Sequence, residues 1–99
     1  MLELQEHLAQ AFRPASAESM DFTIAIASPE HTLTCVLAEG RLSFAAQPPD
    51  FTIYVPGEAL ALALFRGELS PLEAFTRGEL RASGYIVDVF RFLRCFLPG

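Results

Sequence analysis

The chain has no tryptophan and no lysine, and among its 99 residues there are only two cysteines and two histidines. All seven basic residues are arginines, set against twelve acids, for a net charge of −5. That balance excludes a nucleic-acid backbone as partner, because binding there needs clustered positive charge. Long hydrophobic runs are also missing. The longest stretches without a charge, such as Phe22–Pro29 and Leu42–Pro49, are eight residues, far below the ~20 needed to span a bilayer. No stable membrane insertion is therefore expected. The start, Met1-Leu2-Glu3-Leu4-Gln5-Glu6, lacks the basic and apolar regions of a signal peptide. Cys35 and Cys95 lie far apart in no metal or redox spacing, so two reduced thiols in a cytoplasmic protein are expected.

Catalytic groupings are equally scarce. His7 falls on the polar face of a helix and His31 in a turn, neither with an evident partner. No serine sits in a nucleophile-elbow context, and no two carboxylates are placed by spacing to act as acid and base. Cys95 stands near arginines, which can lower a thiol pKa, but reads as a bystander. No Gly-rich phosphate loop, His/Cys cluster or Asp-rich loop occurs. The expectation is no catalytic residue, metal or cofactor.

Apolar side chains are what the sequence has in quantity. They make up 52% of residues, the mean hydropathy is +0.33, and nine are phenylalanines. Ninety-nine residues suffice for one domain, 1–99, with one core. The apolar content is compatible with an internal cavity, a dimer interface, or a filled core that leaves some Leu and Phe exposed.

The pattern predicts a helix over residues 2–13, with Leu4, Leu8, Ala11 and Phe12 on one side. Pro14 ends it, and Ala15–Asp21 reads as a loop. Phe22, Ile24 and Ile26 mark a first strand, and Leu33, Cys35 and Leu37 a second. A hairpin at Glu39-Gly40 leads to Leu42, Phe44 and Ala46. After Pro48-Pro49, Phe51, Ile53 and Val55 form a fourth strand. Ala59–Phe65 is an apolar helix that must be covered on most of its surface. Ser70-Pro71-Leu72-Glu73 then starts another, with Ser70 as cap, Pro71 at the first position and Glu73 placed to close a capping box. Leu80–Ser83 alternates like a short strand. Ile86–Leu97 closes the chain as a helix, with Ile86, Val89, Phe90, Leu93, Phe96 and Leu97 on one arc and Asp88, Arg91 and Cys95 opposite. The fold class expected is α+β: about five strands, largely antiparallel, covered on one face by helices.

Three segments together carry a family resemblance: Gly67-Glu68-Leu69-Ser70-Pro71, the pair Ala74-Phe75, and Gly78-Glu79-Leu80-Arg81-Ala82-Ser83-Gly84. With the preceding strand Asp50-Phe51-Thr52-Ile53, this resembles the sterol carrier protein 2 family of lipid-binding domains, specifically over about half the chain. The resemblance implies a tunnel or groove between sheet and helices. Carried onto this sequence, its lining is Phe44, Ile53, Leu60, Leu64, Phe75, Leu80, Ile86, Phe90 and Leu93. It also implies non-catalytic carriage of a fatty acyl, sterol-like or isoprenoid lipid, with at most transient membrane contact. Two other roles stay open: a protein-interaction module or homodimer, and an accessory subunit beside an enzyme of lipid or quinone biosynthesis. Longer members finish the tunnel with a further C-terminal segment. The expectation here is therefore a cavity that is open on one side, smaller, or completed by a second copy of the chain. Tyr85-Ile86-Val87 departs from the polar or Met-containing turn common at that point.

Overall fold

A computed structural model of the chain describes residues 1–17 and 20–97. In order, the elements are α1 (Leu2–Ala11), a 3-10 turn (Pro14–Ala17), β1 (Phe22–Ala27), β2 (Thr32–Ala38), β3 (Arg41–Phe44) and β4 (Phe51–Tyr54). These are followed by α2 (Glu58–Phe65), α3 (Pro71–Thr76), β5 (Arg81–Ala82) and α4 (Ile86–Arg94). The loop expected at 15–21 begins as that 3-10 turn, and its Glu18 and Ser19 lie outside the described residues.

The sheet runs β3-β2-β1-β4-β5, and every pairing is antiparallel except the central β1–β4 pair. Register explains why one face is apolar. Ile24 pairs with Cys35 and Phe51, Ile26 with Leu33 and Ile53, and Phe22 with Leu37. Cys35 and Leu37 in turn meet Phe44 and Leu42, and Ile53 meets Ala82. Because side chains alternate across a strand, this register gathers all of them on one side. The other side carries Thr23, Thr32, Thr34, Ser43, Thr52 and Arg81.

Strand order needs the chain to pass from the β3 edge to the far side of β1. Residues 45–50 make that passage, stiffened by Pro48-Pro49. Asp50 fixes its end. Its Oδ2 accepts from the Thr23 N–H at 2.7 Å, its own N–H donates to the Thr23 carbonyl at 2.8 Å, and Gln47 reaches the Thr23 hydroxyl at 3.2 Å. Thr23 is the one buried polar residue among those described, and all its polar groups are thus satisfied.

The hairpin between β2 and β3 has both central residues left-handed, Glu39 at φ +55° and Gly40 at +72°, the turn whose twist suits antiparallel strands. Gly84, at φ +104°, brings the chain so close to β4 that a Cβ there would lie 3.2 Å from Phe51 Cβ. Only glycine fits both demands.

The helices form the second layer. Leu4 and Leu8 of α1 are buried one turn apart, and α2 buries Ala61, Leu62, Leu64 and Phe65. Glu58 at the head of α2 accepts from the Leu4 N–H of α1 at 3.0 Å, satisfying a donor that the first turn of a helix leaves free. Ser70 caps α3 by accepting from the Glu73 N–H at 3.3 Å. The second half of the expected capping box does not form, since the Glu73 carboxylate pairs with Arg77 one turn on. The six-residue α3 buries only Ala74. Leu80 precedes β5 rather than joining it, its N–H bonded to the Ala74 carbonyl at 3.2 Å.

Candidate functional site

The side chains named from sequence as a lining divide into three groups. Ile53, Leu64, Leu80 and Leu93 are buried in the central core. Phe44, Leu60, Ile86 and Phe90 are half-buried and packed against that core from its edge. Phe75 is 45% exposed, because it follows Ala74 by one helical step of about 100° and so turns away from the only buried position of α3. The first two groups are brought together through the core. Phe75 stands apart.

The wheel for α4 also needs correction. Phe92, outside the expected apolar arc, and Cys95, expected opposite it, are fully buried. The helix ends at Arg94, and Cys95 and Phe96 donate to carbonyls three residues back, Phe92 and Leu93, at 3.1 and 3.0 Å. That tighter winding carries Cys95 inward. Phe92 is covered from a second side by Phe65 of α2, edge-on at 5.8 Å between centroids.

Four phenylalanines fill the space where α1, α2 and α4 meet. Phe65 and Phe96 lie edge to face at 5.4 Å, Phe92 and Phe96 at 5.0 Å, and Phe12 is tilted against Phe96 at 5.8 Å. Such geometries favour aromatic pairs beyond their buried area. The cluster closes the helical layer, and two of its members, Phe65 and Phe96, also line a surface cleft.

That cleft, of about 330 Å³, is lined by His7, Ala11, Arg13, Phe65, Arg66, Phe96 and Leu97. Its exposed lining is mostly apolar. Two further clefts are of similar size but mixed lining. One of about 350 Å³ is bounded by Ser28, Glu30, His31 and Glu58, and one of about 310 Å³ lies between Gln5, Thr34 and Phe44 beside the β3 edge.

Arg13 stands two residues past the end of α1 and reaches the end of α4. Its N–H donates to the Cys95 carbonyl at 2.8 Å, and its Nη2 donates to the carbonyl of Arg94. Its Nε is buried with no hydrogen-bond partner. His7 Nε2 stands 3.5 Å from the Phe65 carbonyl, so the histidine read from sequence as partnerless reaches the cleft. Arg66 lies 3.5 Å from Glu3 in a largely exposed pair, the kind worth little in water. Beneath, burial pushes the Cys95 thiol up, against the opposite pull of Arg13 and Arg91. Cys95 Sγ is 3.7 Å from Met20 Sδ, and both cysteines are free thiols.

Among the described residues, no three His, Cys, Asp or Glu side chains are grouped to hold a metal ion, and no helix is long and apolar enough to cross a membrane. Sequence reasoning missed the cleft residues Arg13, Phe96 and His7 as a group. One signal was available: Arg13 is the only basic residue before Arg41 and stands at the Pro14 helix break.

A five-stranded mixed sheet with four helices in this order defines an α+β fold. The chain belongs to the SCP-2 sterol transfer family, whose sequence model matches residues 1–89. No curated protein matches it in sequence. Among solved structures it is similar to the sec-alkylsulfatase Pisa1 from Pseudomonas sp., with 15% identity and a TM-score of 0.79. That alignment covers 93% of this chain but only 15% of the enzyme. It is also similar to the UbiJ-SCP2 ubiquinone synthesis protein, with 18% identity, TM-score 0.74, and 95% and 90% of the two chains covered. The palmitated SCP2L2 of Aedes aegypti matches at 17% identity and TM-score 0.60, covering 94% and 87%. At these identities the likeness is one of fold.

Proposed function

We propose that the chain is a non-catalytic carrier of an apolar lipid. The observation that carries this reading is the family match over residues 1–89, joined to a mostly apolar cleft at the ends of α1, α2 and α4. A fatty acyl, sterol-like or isoprenoid chain needs little more than such a surface, because each methylene removed from water contributes roughly 0.8 kcal/mol. The cleft lies at the small end of ligand sites, which run from ~300 to 1,000 Å³. The half-buried residues Phe44, Leu60, Ile86 and Phe90 supply apolar surface along the edge of the core. A carrier of this kind discriminates weakly between similar lipids. It acts in the cytoplasm and touches membranes only transiently.

The likeness to the UbiJ-SCP2 protein favours a second reading, an accessory role beside an enzyme of quinone or other lipid biosynthesis. Both readings require a bound lipid. Native mass spectrometry after mild purification, with displacement of a fluorescent fatty acid, tests it. A lipid adduct and displacement by at least one lipid class are expected. No adduct and no displacement across fatty acids, sterols and isoprenoids would leave a protein-interaction module, for which a tight dimer in sedimentation is the signature.

A further inference from the structure

We propose that the outward face of the sheet, turned away from the core, docks an acidic amphipathic helix of a partner protein, with Arg41 and Arg81 as its charged anchors. This face lies away from the cleft, and its occupation needs no bound lipid.

Charge is the first observation. No acid stands at an outward position of the five strands, although the chain has twelve. The charged residues there are Arg41 on β3 and Arg81 on β5, both exposed. Asp21, Glu30 and Glu39 lie beyond the strand ends, and Asp50 is engaged by the Thr23 N–H at 2.7 Å. Arg66, Arg77 and Arg91 each pair with a carboxylate, whereas neither Arg41 nor Arg81 does so among the described residues. In a chain of net charge −5, a face of this sign is a local exception, and an acidic surface is its complement.

The second observation is relief. Between the arginines the outward side chains are short: Ala25 and Ala27 on β1, Thr34, Val36 and Ala38 on β2. Ala25 is 4% exposed although it stands outside the core cluster, so its register partners Thr34 and Thr52 screen it on a flat surface. A sheet face turned to water usually carries a polar row, and alanines in its place let a second layer approach closely. Tyr54, 49% exposed, stands opposite Arg81 in the register. Tyrosine and arginine are among the side chains that most often anchor protein interfaces.

Spacing selects the occupant. β3 and β5 are the two edges of the sheet, four strand spacings or ~19 Å apart. Arg41 is level with the position before Phe22 and Arg81 with Ala27, an offset of ~20 Å along the strands. The arginines thus stand at diagonal corners, ~28 Å apart, a distance that a helix of about 18 residues spans. The apolar side of such a helix rests on the short side chains, and carboxylates near its two ends meet the guanidiniums. A second copy of this chain fits poorly. Laid face to face, two copies would set their arginines together with no acid among them.

The test uses the full chain and two synthetic helical peptides of about 20 residues, with the same leucine face and either glutamates or lysines near both ends. Fluorescence anisotropy is expected to show at least roughly tenfold tighter binding of the glutamate peptide, weakening as salt is raised. Amide chemical shifts should move at Ala25, Ala27, Thr34 and Val36 when that peptide is added. Arg41→Glu combined with Arg81→Glu is expected to reverse the preference. Both side chains are exposed, so the circular dichroism spectrum should persist. If that variant does not fold, Arg41→Gln with Arg81→Gln takes its place and should abolish the preference. Binding of neither peptide, equal binding of both, or a preference unchanged in the double variant would overturn the proposal. Shifts confined to the cleft residues Ala11, Phe96 and Leu97 would overturn it too. A dimer in sedimentation that the glutamine variant abolishes would make a second copy the occupant and overturn the acidic partner.

Discussion

Replacing Phe65 by alanine asks how firmly the helical layer is filled. Phe65 is 1% exposed and meets Phe92 and Phe96 edge to face at 5.8 and 5.4 Å. Aromatic side chains bury roughly 150–250 Å² each. At ~25 cal/mol per Å² that is roughly 4–6 kcal/mol, an upper bound because the unfolded chain is itself partly collapsed. Measured Phe→Ala costs in cores of about 3–5 kcal/mol agree, so a loss near 4 kcal/mol is expected. For a domain of this size the melting temperature should fall by roughly 16–32 °C. Urea denaturation followed by far-UV circular dichroism would measure it, with Phe65→Leu as a control expected to lose much less. A loss below about 1.5 kcal/mol for the alanine variant would refute tight packing here. It would mean that the rings move apart easily and that the interior is already soft enough to admit a ligand.

Gly84→Ala should cost roughly 1–3 kcal/mol, from a left-handed φ of +104° and a Cβ placed 3.2 Å from Phe51 Cβ; urea midpoints would show it. Cys35, fully buried, has its thiol pushed from 9.0 to about 12 by burial. Its folded-state pKa lies above the unfolded one, so this contribution is complete below pH 9 and declines by about 1.4 kcal/mol per pH unit as pH rises towards 12. Cys35→Val should flatten that alkaline decline in urea titrations, and an unchanged slope would count against it. Phe90→Asp places a charge at the half-buried edge of the core, and it is expected to abolish displacement of a fluorescent fatty acid while the circular dichroism spectrum persists. Unfolding instead would make Phe90 a core residue and remove it from any lining.

The architecture was legible because its signals are local. Strand alternation at Leu33-Cys35-Leu37, the Ser70-Pro71 start and the glycines at 78 and 84 each dictate backbone over a few residues, and the observed elements follow them closely. The site was legible only in part. Ile53, Leu64, Leu80 and Leu93 have the composition of a lining and of a packed core alike, and periodicity cannot separate the two. Phe75 was placed inward by its pairing with Ala74 in the motif, yet a helix as short as α3 has room to bury one small side chain. Arg13, Phe65 and Phe96 meet across 83 residues of sequence, and that meeting depends on how three helix ends pack.

The shared role of Phe65 and Phe96 links stability to any binding at this end. Both rings are core residues by burial and cleft lining by position. The apolar surplus of the sequence is therefore spent first on covering α2, which is apolar on nearly every face and must meet α1 on one side and α4 on another. What remains for a ligand lies where those helices end and side chains run out. A larger site could be had by shortening Phe96, but the same change would strip partners from Phe65, Phe92 and Phe12. Selection on this cleft consequently acts under a stability constraint. Changes at its exposed residues, such as Arg66, can alter what is bound at far less cost to the fold than changes at Phe65 or Phe96.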